Sequence, residues 1–212
     1  REKVLPNERL LNKNIKEKTV LVTGAGGSIG SEISRQVCRN SPLSIILFDS
    51  NEFSLYSVSE ELKIKFPDLK IVTVLGNITN EQRMNYVCNN FKVDTIYHSA
   101  AYKHVPIVEE SPFEGVFNNI FGTLRCVNSA IANKVETFVF ISTDKAVRPT
   151  NIMGASKRFA ELILQAISHD TSDKEIKITM VRFGNVLGSA GSVVPLFRKQ
   201  IEDGDFVTVT HP

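Results

Sequence analysis

The chain is short of three things, and each shortage closes off a class of function. Cysteine is scarce: Cys38, Cys88 and Cys126 are far apart, odd in number and lack the spacing of metal ligands. A disulfide framework and a metal centre are therefore excluded, and the three fit a reducing, cytoplasmic setting as small buried hydrophobes. Excess charge is missing: 25 Lys and Arg stand against 23 Asp and Glu, a net +2 with no dense basic tract. That argues against nucleic-acid binding and leaves local Lys and Arg groups for a phosphorylated small ligand. Long apolar runs are missing as well: none approaches the roughly 20 residues that span a bilayer, and no signal peptide is expected. There is no internal repeat and no low-complexity tract. What remains, 212 residues that are 42% apolar and 23% charged, is enough for one large core, or one core and part of a second lobe. The charged opening, Arg1 to Lys18, and the stop at Thr210-His211-Pro212 lead to the expectation that both ends are cut from something longer.

Strand-like apolar runs alternate with helical patterns. Strands are expected at Val20–Val22, Ile45–Phe48, Ile71–Leu75, Thr95–Tyr97, Thr137–Ile141 and Ile176–Val181. Between them lie helices at Ser28–Asn40, along the Leu55, Val58, Leu62, Phe66 stripe, and over Ile152–Ser168. Thr79-Asn80-Glu81-Gln82 has the form of a capping box and starts a short helix. Ser111-Pro112-Phe113-Glu114 is a second one, with proline at the first helical position, and opens a long helix to about Asn133. Short, fully apolar strands alternating with helices mean a parallel sheet covered on both faces, the α/β doubly wound class. After Arg182 the pattern loosens: Gly184, Gly188 and Gly191 mark a loop, Val193–Glu202 a helix and Phe206–Val209 a last short strand. The expected division is a charged lead-in over 1–17, a nucleotide-binding domain over 18–182, and the start of a substrate region over 183–212.

The first strand runs into Thr23-Gly24-Ala25-Gly26-Gly27-Ser28-Ile29-Gly30. Glycines at 24, 27 and 30 permit a tight turn, close approach of backbone to a pyrophosphate, and close packing of helix on strand. Ser28 and Ile29 begin the helix whose N–H groups and dipole favour phosphates. An acid, Asp49, ends the second strand about 20 residues further on, where it can bind both hydroxyls of an adenosine ribose. Ser50-Asn51-Glu52 follows it, with no arginine to receive a 2′-phosphate, which selects NAD over NADP. Asn77 and Ile78, after the third strand, are placed beside the adenine; simple core packing is the other reading of Ile78.

These glycines have the pattern of the short-chain dehydrogenase/reductase superfamily, extended branch. Further runs are more specific: His98 to Pro106 (HSAAYKHVP), Asn118 to Thr123 (NNIFGT), Ser142 to Lys157 (STDKAVRPTNIMGASK) and Val181 to Ser189 (VRFGNVLGS). Together with Thr23 to Glu32 they resemble the UDP-N-acetylglucosamine 4,6-dehydratases of bacterial capsule, O-antigen and glycan synthesis, from Lys18 onward. The resemblance implies a Rossmann-type domain whose sugar-nucleotide lobe lies largely beyond Pro212. It also implies NAD as cofactor, a UDP-N-acetylhexosamine as substrate, a homo-oligomer, and a parent protein anchored in the membrane with this domain in the cytoplasm.

The reaction it implies has three steps: C4 of the hexose is oxidised as the 4-OH loses its proton, water is eliminated across C5 and C6, and the hydride returns to C6. Many relatives of this superfamily carry a Tyr-x-x-x-Lys pair for the proton transfer. Here Met153 holds the tyrosine's place ahead of Lys157, and a thioether cannot take a proton from a hydroxyl. Lys157, four residues on and on the same helix face, is assigned to the nicotinamide ribose and to electrostatic support. Met153 is assigned to packing beside the sugar C4. Asp144 and Lys145 follow the fifth strand at its carboxyl end, where ligands bind in open α/β sheets, and they supply an acid and a base if burial moves their pKa values toward neutrality. Asp144 is expected to protonate the leaving 6-OH and to serve C4 oxidation, and Lys145 to take the C5 proton. Thr143, or Ser142, is placed to hydrogen-bond the 4-OH.

Ala100, Ala101, Lys103 and His104 form a loop edging the nicotinamide and sugar pocket, with His104 a substrate-binding or structural histidine. Asn119 is expected to hydrogen-bond the backbone of strand four or five. Asn185 is placed to meet the sugar nucleotide's diphosphate, and Arg182 is a candidate structural ion-pair partner. Two other enzyme readings, a 4-epimerase or a dehydratase of another nucleotide sugar, stay open. So does a nucleotide-binding regulatory module without turnover, which the missing tyrosine favours and the Asp144-Lys145 pair opposes. A structural assembly subunit is opposed by the glycine loop and Asp49.

Overall fold

The computed structural model describes residues 7–170, 176–186, 193–204 and 206–207. Six strands form one parallel sheet in the order β3-β2-β1-β4-β5-β6. They are β1 (Thr19–Thr23), β2 (Ser44–Asp49), β3 (Lys70–Leu75), β4 (Thr95–His98), β5 (Thr137–Thr143) and β6 (Lys177–Phe183). The doubly wound sheet expected from the alternation is what forms. The chain winds outward from β1 to β3, then crosses back to place β4 against β1's other side. The crevice outside the carboxyl ends of β1 and β4 is the switch point where such sheets bind ligands.

Side chains alternate between the two faces of each strand, and two cores follow from that. On one face Leu21, Ile46, Phe48, Ile96, Phe138 and Phe140 pack with Met84, Val127, Ala130 and Leu164. On the other, Val20, Val22, Ile45 and Leu47 pack with Ile15, Val37, Leu55, Val58 and Leu62. Phe48, Phe138 and Phe140 are fully buried, each contributing about 1.5–3 kcal/mol of hydrophobic free energy.

The helices are α1 (Glu8–Ile15), α2 (Ser28–Arg39), α3 (Glu52–Lys65), α4 (Glu81–Phe91), α5 (Val105–Glu110), α6 (Pro112–Val116), α7 (Thr123–Ala132), α8 (Ile152–Asp170) and α9 (Val193–Glu202). No helix among the described residues is long and apolar enough to cross a membrane.

Several details depart from the sequence expectation. The charged lead-in holds α1, whose Asn7 side chain caps it by accepting the Leu10 N–H and whose Ile15 is buried in the second core. Dense charge hid its apolar stripe. At α4 the cap is Asn80, which accepts the Arg83 N–H, while the Thr79 hydroxyl turns back to Asn77; the helix starts one residue later than read, and with Arg83 at the third helical position no reciprocal capping box forms. At Ser111 the proline holds the first helical position, but the serine side chain makes no capping bond. The long helix that follows is not uniform: a π-helical stretch, Phe117–Gly122, joins α6 to α7. The wide turn buries both Asn118 and Asn119, and Gly122 lets it close onto Ile78. Such π turns recur at functional sites. Phe206 and Val207 are not strand, and Gly188, Gly191, Thr208 and Val209 lie outside the described residues.

Candidate active site

A groove runs along the carboxyl edge of the sheet as three adjoining cavities of about 300, 470 and 250 Å³, all lined by Ser99, Ala101 and Tyr102. The first holds Gly24, Gly27, Asp49, Asn77, Ile78 and Ala100. The second holds Ser28, Ile29 and Gly30. The third holds Thr143, Lys145, Met153, Lys157, Lys103, His104 and Asn185. Residues picked from scattered motifs are thus brought into one continuous space, except Asp144, which stands beside the third cavity without lining it. Tyr102, on the wall of all three parts, carried no sequence signal beyond its place in the loop.

The first two cavities are shaped by backbone. Gly24 turns the chain with φ +67°, and a Cβ there would lie 2.7 Å from the Ala100 nitrogen. A Cβ on Gly30 would come within 1.9 Å of the Gly24 carbonyl oxygen, so only glycine lets α2 start this close to the loop. Gly27 caps α2 with no side-chain hydrogen bond, which leaves the helix N-terminus facing the groove for an anionic ligand. Asp49 holds the loop through its carboxylate. Its Oδ2 accepts the Gly26 N–H at 2.8 Å and its Oδ1 the Asn51 N–H at 2.9 Å. A carboxylate can accept about four hydrogen bonds, so it can hold the loop and still receive two hydroxyls. Asn77 Oδ1 is occupied by the Thr79 N–H and hydroxyl. Ile78 is 3% exposed and belongs to the core, yet its surface also lines the groove.

The third cavity is shaped by side chains. Lys157 is buried on α8 with its ammonium 4.0 Å from the centre of the Phe140 ring. Burial lowers its pKa to about 7, against a smaller opposite pull from Glu161. Met153, a turn earlier, is 4% exposed and lines the same cavity. On the far side, Asp144–Ala146 makes a single 3₁₀ turn after β5. Asp144 Oδ1 accepts from the Thr143 hydroxyl at 3.0 Å and from Lys145 Nζ at 3.2 Å, and Lys145 Nζ also donates to Asn185 Oδ1 at 3.1 Å. The side chain of Asn185 is therefore turned to Lys145.

The burial expected for Asp144 is not found: its side chain is 55% exposed. What desolvation there is pushes its carboxyl up, but the Thr143 hydroxyl and Lys145 outweigh it and hold it below the usual carboxylate range. Ser142 is not available to a ligand as donor, because its hydroxyl donates to Glu161 at 2.6 Å; the Thr143 proton is likewise given to Asp144, which leaves the less buried Thr143 oxygen as the hydroxyl able to accept from a ligand.

A buried polar chain braces the two halves. Thr123 gives its hydroxyl proton to the Asn119 carbonyl at 2.7 Å, so at 3.0 Å it accepts from Nε2–H of His98. His98 Nδ1 is then left to accept from the Thr23 hydroxyl at 2.7 Å. Burial first, and the charge of Lys157 second, push the His98 pKa down to about 3, so the ring is neutral and structural. The Asn119 side chain clasps both backbone groups of Tyr102 and donates to Ser156, in the loop just past β4. His98, Ser156 and Glu161 are the interior residues that motif reading passed over. Glu161 had one signal: a carboxylate four residues after Lys157, on the apolar stripe of α8.

A family model described as "Polysaccharide biosynthesis protein" matches residues 20–212. The capsular polysaccharide biosynthesis protein CapD of Staphylococcus aureus is 50% identical over 204 residues, 96% of this chain and 34% of CapD. A UDP-glucose 4-epimerase of Rickettsia massiliae is 34% identical over 200 residues, 92% of this chain and 57% of that protein. The X-ray structure of Pen from Bacillus thuringiensis superposes with a TM-score of 0.88 at 39% identity, over 93% of this chain and 61% of Pen. DesIV, a dTDP-glucose 4,6-dehydratase from Streptomyces venezuelae, shares the fold with a TM-score of 0.73 at 24% identity, over 88% of this chain and 62% of its own. The chain thus spans about a third of CapD's length and under two thirds of the others.

Proposed function

The chain belongs to the polysaccharide biosynthesis protein family, and we propose that it is the nucleotide-binding part of an NAD-dependent 4,6-dehydratase acting on UDP-N-acetylglucosamine. The observation that carries this reading is the Thr143-Asp144-Lys145 turn. A base and a hydroxyl at the end of β5, Lys145 and Thr143, line the cavity that also holds Lys157, and the acid Asp144 stands at its rim, hydrogen-bonded to both. A 4-epimerase needs no base at C5 and no acid at C6.

The groove fits NAD. The glycine loop and the open N-terminus of α2 would hold the pyrophosphate, Asp49 the adenosine ribose, and Lys157 the nicotinamide ribose. NAD, when bound, supplies the hydride acceptor for C4 and the donor for C6. The chain supplies the proton transfers. Asp144, held ionised, takes the 4-OH proton and then gives it to the leaving 6-OH, which departs as water. Lys145, once its ammonium has given a proton to solvent, takes the C5 proton as a free amine, exchanges it with solvent and returns a proton to C5. Thr143 orients the 4-OH, and Met153 packs beside C4 where a tyrosine would otherwise stand. Lys103, His104 and Asn185 face the sugar nucleotide.

We include a homo-oligomer and a cytoplasmic setting in this reading. Exposed Phe113, Phe117 and Phe121 recur along α6 and the π-helical stretch after it, and the three cysteines are buried thiols. The second reading, a UDP-sugar 4-epimerase, is favoured by the Rickettsia relative. Mass spectrometry of UDP-N-acetylglucosamine incubated with the natural full-length protein and NAD separates them. The dehydratase gives a product lighter by one water. An epimerase gives a product of unchanged mass, and a binding module gives no product.

A further inference from the structure

We propose that Glu161 is the positioning residue for the acid–base pair, a buried anionic clamp that locks the ends of β5 and β6 in the arrangement the chemistry needs. The proposal rests on the dehydratase reading for the meaning of Asp144 and Lys145, and on its own geometry for the rest. The Glu161 side chain has no exposure at all. A carboxylate is not buried this way without full compensation, and each of its oxygens is satisfied. Oε1 accepts the Ser142 hydroxyl at 2.6 Å and Arg182 Nε at 2.7 Å. Oε2 accepts Arg182 Nη2 at 2.5 Å and Arg158 Nη1 at 3.0 Å. Burial alone would raise its pKa; the hydrogen bonds from Arg182, Ser142 and Arg158 bring it down to about 2.

What those bonds tie together gives the clamp its purpose. Ser142 immediately precedes the Thr143-Asp144-Lys145 turn on β5, and Arg182 lies opposite it on β6 as its register partner. Arg182 leads within three residues to Asn185, whose amide oxygen receives Lys145 Nζ. Glu161 thus fixes both strand ends that meet at Lys145, from a helix that carries Lys157 on the same face. Bidentate Arg–carboxylate geometry fixes orientation as well as distance, which a neutral amide cannot reproduce with both guanidinium donors.

The test is a comparison of the full-length protein with Glu161→Gln and, separately, Arg182→Lys, which keeps the charge but breaks the fork. Two readouts are taken with NAD bound. The first is acetylation of individual lysines by acetic anhydride, followed by peptide mass spectrometry with exposed Lys63 as the internal reference. It needs no turnover, so it reads the clamp even if the dehydratase reading fails. We expect Lys145 to lose its protection in both variants while Lys63 labels as before. The second readout is turnover: where the wild type forms the dehydrated sugar, kcat falls by about 10²-fold with little change in KM, the scale of a small misplacement of reacting groups. Unchanged protection of Lys145 in folded, NAD-binding variants overturns the proposal whatever happens to kcat.

Discussion

The two ends of the groove are built by opposite means. At the end we assign to adenosine the shape is backbone: glycines without Cβ atoms, a bare helix N-terminus, and one carboxylate holding the loop through N–H groups. At the end we assign to the sugar the shape is side chains: a buried lysine over Phe140, an exposed Asp144 paired with a half-buried Lys145, and a buried Glu161 holding the strands beneath it. A backbone cradle can serve any dinucleotide; the side-chain end decides what reaction is done. The two should therefore fail differently when altered.

The largest separation is expected from Asp144→Asn. An amide keeps a hydrogen-bond acceptor for Lys145 but cannot carry the proton from O4 to O6. Turnover should fall by about 10²–10⁴-fold, measured as dehydrated product per enzyme, while NAD titration gives wild-type affinity. Gly154→Ala comes next. Its Cβ would lie 2.4 Å from the Lys145 carbonyl oxygen, so the 3₁₀ turn must move, and kcat should drop by about 10²-fold with NAD still bound. Asp49→Ala breaks the other end. Losing hydrogen bonds to a charged acceptor should weaken NAD by about 10- to 100-fold, seen by calorimetry, and narrow its preference over NADP.

The smallest effect is one of pH. Lys157 is depressed to about 7 in the fold from an ordinary value of 10.5. Between those values the unfolded chain binds more protons than the native one, so stability rises with pH across that window and is flat below it. The slope from this group is at most about 1.4 kcal/mol per pH unit. Lys157→Met should remove that slope in denaturant titrations run at pH 7 and pH 9.

The same division explains what could be read from the sequence. The sheet, the helices that flank it from α2 to α4, the glycine loop and Asp49's place at the end of β2 follow from local rules of period, capping and turn geometry, whereas α5 (Val105–Glu110) forms where only a loop was read. α1 was masked by its charge, and the π stretch answers to the packing of Gly122 on Ile78, which no local rule contains. Residues at the sugar end were named from motifs, but their state was not: Asp144 is exposed where burial was expected. Ser142 is spent on Glu161, and Asn185 turns to Lys145. These outcomes depend on residues as far apart as 142, 161 and 182 meeting in space.

The most direct test of dehydration without a tyrosine is the fate of C5. The full-length protein is incubated with UDP-N-acetylglucosamine and NAD in D2O, and the product is analysed by mass spectrometry and NMR. The account predicts a 4-keto-6-deoxy sugar, one water lighter, carrying solvent deuterium at C5 and the original C4 hydrogen at C6. Unchanged substrate with NAD bound, or a product of unaltered mass without deuterium at C5, would contradict it.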